Sequence, residues 1–258
     1  MLCMKYFFTF WTGIPRSEVF EFLDFQHCLI ILGAAAILYF SIHAVLRQEM
    51  GRIKVINRCV ALLLPVLEMM RILWIYQAGE TDWMKLLPLH LCGLQIFFVP
   101  LAVFTENKYI REFVFSTSLL GGVAAIIFPS GIMDTYPMIH FQTLQSILFH
   151  MVLIFVPLVL VLGQGFQPSL ARFSKSVLIL VACGFAAGWV DVNFGQNYMF
   201  ILEAPLNTPL VGIFNAFGHR VYLLVLLGLV IFGMYLTYLP LLVKKQIAER
   251  RRAKAAVK

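Results

Sequence analysis

The sequence predicts an all-α fold: a polytopic membrane helical bundle of about seven transmembrane helices, amino terminus outside and carboxyl terminus cytoplasmic. Three observations predict it: an apolar content too high for a water-soluble domain, uncharged stretches of membrane-spanning length, and basic residues gathered in alternate loops. Of 258 residues, 61% are hydrophobic and 13% charged, and mean hydropathy is +0.87. A soluble domain of this length has too little interior to hide that much apolar surface.

A helix rising 1.5 Å per residue needs about 20 apolar residues to cross a bilayer core. Seven runs meet that requirement, at approximately 27–46, 59–78, 86–105, 113–130, 143–163, 176–194 and 221–243. Continuous apolar runs suit helices, which satisfy their own backbone polar groups in lipid, and not the alternating strands of a barrel. The chain 1–258 reads as a single membrane-embedded domain with a basic cytoplasmic tail over 244–258.

Orientation follows from the 20 Lys and Arg. Arg47, Arg52, Lys54 and Arg58 lie between the first and second spans, Lys108 and Arg111 between the third and fourth, and Arg172 and Lys175 between the fifth and sixth. The tail adds Lys244, Lys245, Arg250, Arg251, Arg252, Lys254 and Lys258, against only Lys5, Arg16, Lys85 and Arg220 on the other side. The positive-inside rule places the richer side in the cytoplasm. The net charge of +7 is mostly this tail, expected to set topology and to attract anionic lipid headgroups, not nucleic acid. Met1 to Pro15 is short and aromatic with a single Lys5, so the first span is expected to insert and stay, not to act as a cleaved signal.

Cys3, Cys28, Cys59, Cys92 and Cys183 show neither a CxxC nor a metal-ligand spacing, which indicates no disulfide framework and no metal or cofactor. The long irregular segments, Phe128 to Pro137 and Gly195 to Pro209, both fall on the outer side and are candidate lids or re-entrant loops.

Ionisable groups in a bilayer core are costly unless paired or hydrated. Three lie in the spans: Glu68, Arg71 and Asp191. Glu68 and Arg71, three apart on one helix, can neutralise each other, either as a structural pair or as part of a site. With the amino terminus outside, Arg71 and Cys92 both lie roughly 10 Å below the outer surface. His90, Gln95, His140, His150, Asp191, Asn193, Asn197, Tyr198, His219 and Arg220 share that outer half. Each also has a structural reading: Cys92 as a small apolar residue, His90 and His150 as packing histidines, and His140 as a helix cap. Gln95 bridges helices in that reading, Asp191 and Asn193 end their helix, and Asn197 with Tyr198 anchors the interface.

Leu87-Pro88-Leu89-His90-Leu91-Cys92 resembles the Leu-Pro-Leu-x-Leu-Cys signature of the YwaF-like integral membrane proteins, the bacterial branch of the transmembrane protein 164 family. The same order continues in Gly121-Gly122 followed by Pro129, Pro137 with His140, His150, and Asn197-Tyr198-Met199-Phe200 followed by Pro205. His90 stands where relatives often carry Gln, and Phe214 to Tyr222 replaces a Pro/Trp-rich approach to the last span. The resemblance implies a bacterial plasma-membrane protein. Through the animal branch it also implies a cysteine-dependent acyltransferase that moves fatty acyl chains between phospholipids and lysophospholipids, with its cysteine at Cys92.

The residues suit that chemistry. Acyl exchange needs a nucleophile that holds the chain as a thioester just below the headgroups, and a buried thiol needs a base. His150 is the preferred base. His90 is the alternative, although two residues from Cys92 on one helix it would not face it. Gln95, Asn197 or Tyr198 are candidate oxyanion donors, and Asp191 a candidate to orient the histidine. Two other classes stay open: a metal-dependent intramembrane lipid hydrolase using His90, His140, His150 and Asp191, which has no HxxxH or HExxH spacing, and a transporter or lipid-binding scaffold.

Overall fold

A computed structural model describes residues 4–129, 131–205 and 208–243. Cys3 and the basic tail from Lys244 lie outside the described residues. Among these residues the chain is helical with no strand. It divides into two compact units, Met1–Gln167 and Pro168–Lys258.

The first unit holds α1 (Phe25–Leu46), α2 (Met50–Ala61), α3 (Leu63–Gln77), the short α4 (Trp83–Leu86), α5 (Gln95–Thr105), α6 (Lys108–Ile127) and α7 (Phe141–Leu162). α1, α6 and α7 start where a side chain satisfies the first free N–H groups. Asp24 accepts from the His27 backbone at 2.7 Å, Asn107 from Tyr109 at 2.9 Å, and the His140 ring from Gln142 at 3.0 Å. The second unit holds α8 (Leu170–Phe194), capped by Ser169, and α9 (Pro209–Leu236), with a 3-10 turn at Tyr198–Phe200 between them.

Among the described residues six segments are long and apolar enough to cross a membrane: α1, α2 with α3, α6, α7, α8 and α9. The expected third span, 86–105, departs from this pattern. It is helical only from Gln95, and Leu87 to Leu94 runs through turns. Pro88 and Gly93 explain the break: the chain folds back so tightly that a Cβ on Gly93 would lie 2.7 Å from the Pro88 carbonyl oxygen. The last span begins earlier than the expected 221–243. Pro209 occupies the first turn, where its missing N–H costs nothing, and α9 is interrupted at Gly218, whose φ of 78° suits a residue without a Cβ.

α6 and α7 form the centre of the first unit. The hydroxyls of Ser116 and Thr117 bond back to the carbonyls of Glu112 and Phe113, and Ser118 donates across to the Leu153 carbonyl of α7 at 2.7 Å. The buried hydroxyls of these three α6 residues are thereby satisfied within the protein. Close approach is possible because Gly122 carries no side chain; a Cβ there would lie 2.9 Å from the His150 carbonyl oxygen. Residues 4–24, short turns with no span of their own, pack over one end of this unit. Phe20 joins Ile30, Trp74, Ile132 and Tyr136 in an apolar cluster, while Phe8 and Thr9 offer carbonyls to Trp74 and His140.

At the other end, Glu106, just after α5, gathers bases from two helices, α2 and α6: Lys54 at 2.9 Å, Arg111 at 3.7 Å and Arg58 at 3.8 Å. α2, the turn after α5 and the start of α6 therefore meet at one end of the unit. Apolar helices of this length are those of an integral membrane protein.

Candidate active site

The non-helical stretch before α5 has a physical consequence. Irregular backbone at membrane depth is tolerated where it lines a cavity or is buried in protein. Here it lines a cavity of about 270 Å³ together with α3 and α7, and Cys92, His150, His90, Glu68 and Arg71 all contribute to its wall. Five of the expected site residues are thus brought together. Lys85, Gln142, Gln145 and Ser146 complete the polar part of the lining.

Cys92 is partly buried and carries a free thiol. Its sulfur is seated against α6, where a Cβ on Gly121 would come within 2.7 Å of Sγ. The Leu94 N–H donates to the His90 carbonyl at 2.9 Å and the Gln95 N–H to the Cys92 carbonyl at 3.1 Å. His90 and Cys92 therefore sit in consecutive turns, not on a helix. Helical spacing does not separate them, and both face the same cavity.

His150 is held by its own helix: Nδ1 lies 2.7 Å from the Ser146 carbonyl oxygen. A carbonyl only accepts, so Nδ1 carries the proton and Nε2 keeps its lone pair. That is the tautomer a base needs. The orienting acceptor is the Ser146 carbonyl, a role the sequence reading gave to Asp191.

Glu68 and Arg71 form the expected ion pair in bidentate geometry, Nε to Oε2 at 2.9 Å and Nη2 to Oε1 at 2.6 Å. Gln95 is fully buried at the start of α5 and donates to the Leu91 carbonyl and to Thr117 Oγ1 at 3.3 and 3.1 Å. Its amide N–H groups tie α5 to α6, which fits the bridging reading better than oxyanion donation. His140 has both ring nitrogens engaged, Nε2 with the Thr9 carbonyl and Nδ1 with the Gln142 N–H, and stacks on Tyr136 with centroids 4.5 Å apart. It caps α7.

The remaining expected residues belong to the second unit. Asp191 is buried; its Oδ1 accepts from the Tyr198 N–H at 2.7 Å. Asn193 donates to the Trp189 carbonyl. Asn197 accepts from Leu202 and Glu203 and donates to the Glu203 carbonyl, so its side chain organises the loop that follows α8. Tyr198 is buried within the 3-10 turn.

Among the described residues no group of three or more His, Cys, Asp or Glu side chains stands together as a metal site.

No curated protein and no solved structure matches this chain. Residues 22–238, which include every residue of the cavity wall, match the TMEM164 family, and the chain belongs to that family.

Proposed function

We propose that the cavity is the active site of an acyltransferase of the bacterial plasma membrane, which moves a fatty acyl chain from a phospholipid to a lysophospholipid through a thioester on Cys92. The observation that carries this reading is the pairing, in one cavity wall, of a thiol with a histidine whose Nδ1 is bonded to the Ser146 carbonyl. His150 Nε2 takes the Cys92 proton, and the thiolate attacks the ester carbonyl. The tetrahedral oxyanion collapses, the ester C–O bond breaks, and the departing lysophospholipid oxygen takes the proton from His150. In the second half the acceptor hydroxyl gives its proton to His150, its oxygen attacks the thioester carbonyl, and the sulfur leaves and regains the proton. Bonds and protons balance without a cofactor.

The site's level in the membrane supports the substrate class. Tyr76 and Trp83 are exposed and stacked, with ring centroids 5.5 Å apart, in the last turn of α3 and at the start of α4. Such aromatic pairs sit at the headgroup level, and Arg71 lies six residues before the end of α3, about 9 Å along its axis. An ester carbonyl lies in that range, between headgroup and tails.

The test is to incubate purified protein with a lysophospholipid and an isotopically labelled diacyl phospholipid and to resolve the products by mass spectrometry. Label appearing in a new diacyl species supports the reading. Unchanged lipids under conditions that keep the protein folded refute it, and would turn attention to a transporter or scaffold.

A further inference from the structure

The cavity contains more charge than thioester chemistry requires. Cys92 and His150 supply nucleophile and base, yet Arg71 and Lys85 also line the wall. We propose that Arg71 and Lys85 form a phosphate subsite at the interfacial end of the Cys92 cavity, which holds the headgroup phosphate of a glycerophospholipid while its ester carbonyl reaches Sγ. This assignment rests on the acyl-transfer reading.

Arg71 is positioned for such a role by its partner. Glu68 engages Nε and Nη2, which fixes the plane of the guanidinium. A guanidinium has five N–H donors, so the Nη1 edge remains for a second acceptor. With its side chain 23% exposed and that of Glu68 only 8%, Arg71 is the more accessible member of the pair. Lys85 is the more exposed cation: its side chain is 55% exposed, and Nζ stands 3.2 Å from Glu80 and 3.9 Å from Asp82. Neither acid is part of the cavity wall. Exposed ion pairs of this kind contribute little, so an ammonium on a flexible stem can share itself with a phosphate oxygen that reaches the cavity. The stacked Tyr76 and Trp83 lie between the two cations in sequence; Lys85, two residues from Trp83, is at the level of phospholipid phosphates, and the long side chain of Arg71 reaches toward it from deeper in the wall. Free phosphate and a lipid headgroup present the same oxygens, and only the headgroup is delivered from the bilayer.

The experiment uses the full-length protein carrying Cys92→Ala, so that binding is read without turnover and does not depend on the thioester. Affinities are measured for oleoyl lysophosphatidylcholine and for monooleoylglycerol, which share a chain and differ in the phosphate-bearing headgroup. The subsite predicts tighter binding of the phosphate-bearing lipid. Lys85→Gln should weaken that lipid at least about fivefold, the scale of one charge-assisted hydrogen bond, and leave monooleoylglycerol unchanged; Lys85→Arg should retain the preference. The double change Glu68→Gln with Arg71→Gln, which removes the guanidinium without stranding a buried charge, should act in the same direction. Equal affinity for the two lipids, or an equal loss for both in Lys85→Gln, would overturn the subsite. Glycerol 3-phosphate should compete only weakly; competition as strong as that of the lysophospholipid would overturn the headgroup assignment in favour of free phosphate. If Cys92 proves to carry no acyl chain, the acyl-transfer reading fails while these binding outcomes remain readable on their own.

Discussion

Gly121 of α6 faces the sulfur of Cys92 so closely that a Cβ there would lie 2.7 Å from Sγ. No real Cβ contact is that short, so any side chain at 121 must displace the thiol. Gly121→Ala should therefore reduce acyl transfer by at least about tenfold, because reacting atoms misplaced by an ångström lose much of their rate. Gly122→Ala presses instead on the His150 carbonyl at 2.9 Å and on Ile154, and should cost about 1 to 3 kcal/mol of stability through the packing of α6 on α7. Rate and melting temperature of the two variants check this: rate should fall further in the first, stability in the second.

Glu68 and Arg71 should behave as one unit. Removing either partner leaves an uncompensated charge in a poorly hydrated place, at about 3 kcal/mol, whereas removing both should cost less than either alone. Thermal unfolding of Glu68→Gln, Arg71→Gln and the double change in detergent measures the coupling. Additive losses would mean that the bidentate contact contributes nothing to folding.

His140 gives the protein a pH dependence whose sign can be worked out. Burial holds its imidazolium form below the usual range, against a smaller opposing effect of the Thr9 carbonyl. Nδ1 must also stay unprotonated to accept the Gln142 N–H. The unfolded chain therefore binds this proton more readily than the folded one. The contribution is fully present above the unfolded value of about 6.5 and declines as pH falls below it. Melting temperature should drop between neutral and mildly acidic pH, and His140→Gln should show a shallower drop; superimposable profiles would contradict the assignment.

Topology is open to a direct check. A reporter fused after Lys258 should be cytoplasmic and one inserted within 195–209 exported, given the bias of basic residues toward one set of loops. Both reporters on one side would mean an even number of crossings between them and would remove the outer-leaflet placement of the cavity.

Long apolar runs revealed the helices because the period and length of a spanning segment are set by the bilayer, not by tertiary context. The break before α5 was not legible: Leu87 to Leu94 is as apolar as its neighbours, and only Pro88 with Gly93 hinted at a turn. Residues 4–24 were equally opaque, since short turns that pack through Phe20 and backbone carbonyls leave no periodic trace. Within the site, Glu68 with Arg71 could be paired from their spacing. Ser146 could not be picked out, because it acts through its carbonyl, although its position four residues before His150 is the signal that helix geometry supplies. Lys85 counted only as a loop charge, and nothing in the sequence says that the turn after α4 brings it to the wall that holds Cys92.

The central claim is that Cys92 carries the acyl chain, and the intact thioester tests it most directly. Wild-type protein incubated with a diacyl phospholipid and no acceptor should gain the mass of one acyl chain on the peptide containing Cys92. Neutral hydroxylamine should remove it, and addition of a lysophospholipid should discharge it into a diacyl product. Cys92→Ala should gain no such mass and transfer no acyl chain while melting close to wild type, and replacing Cys28, Cys59 or Cys183 should change neither result. A folded Cys92→Ala protein that still transfers acyl chains at the wild-type rate would contradict the account.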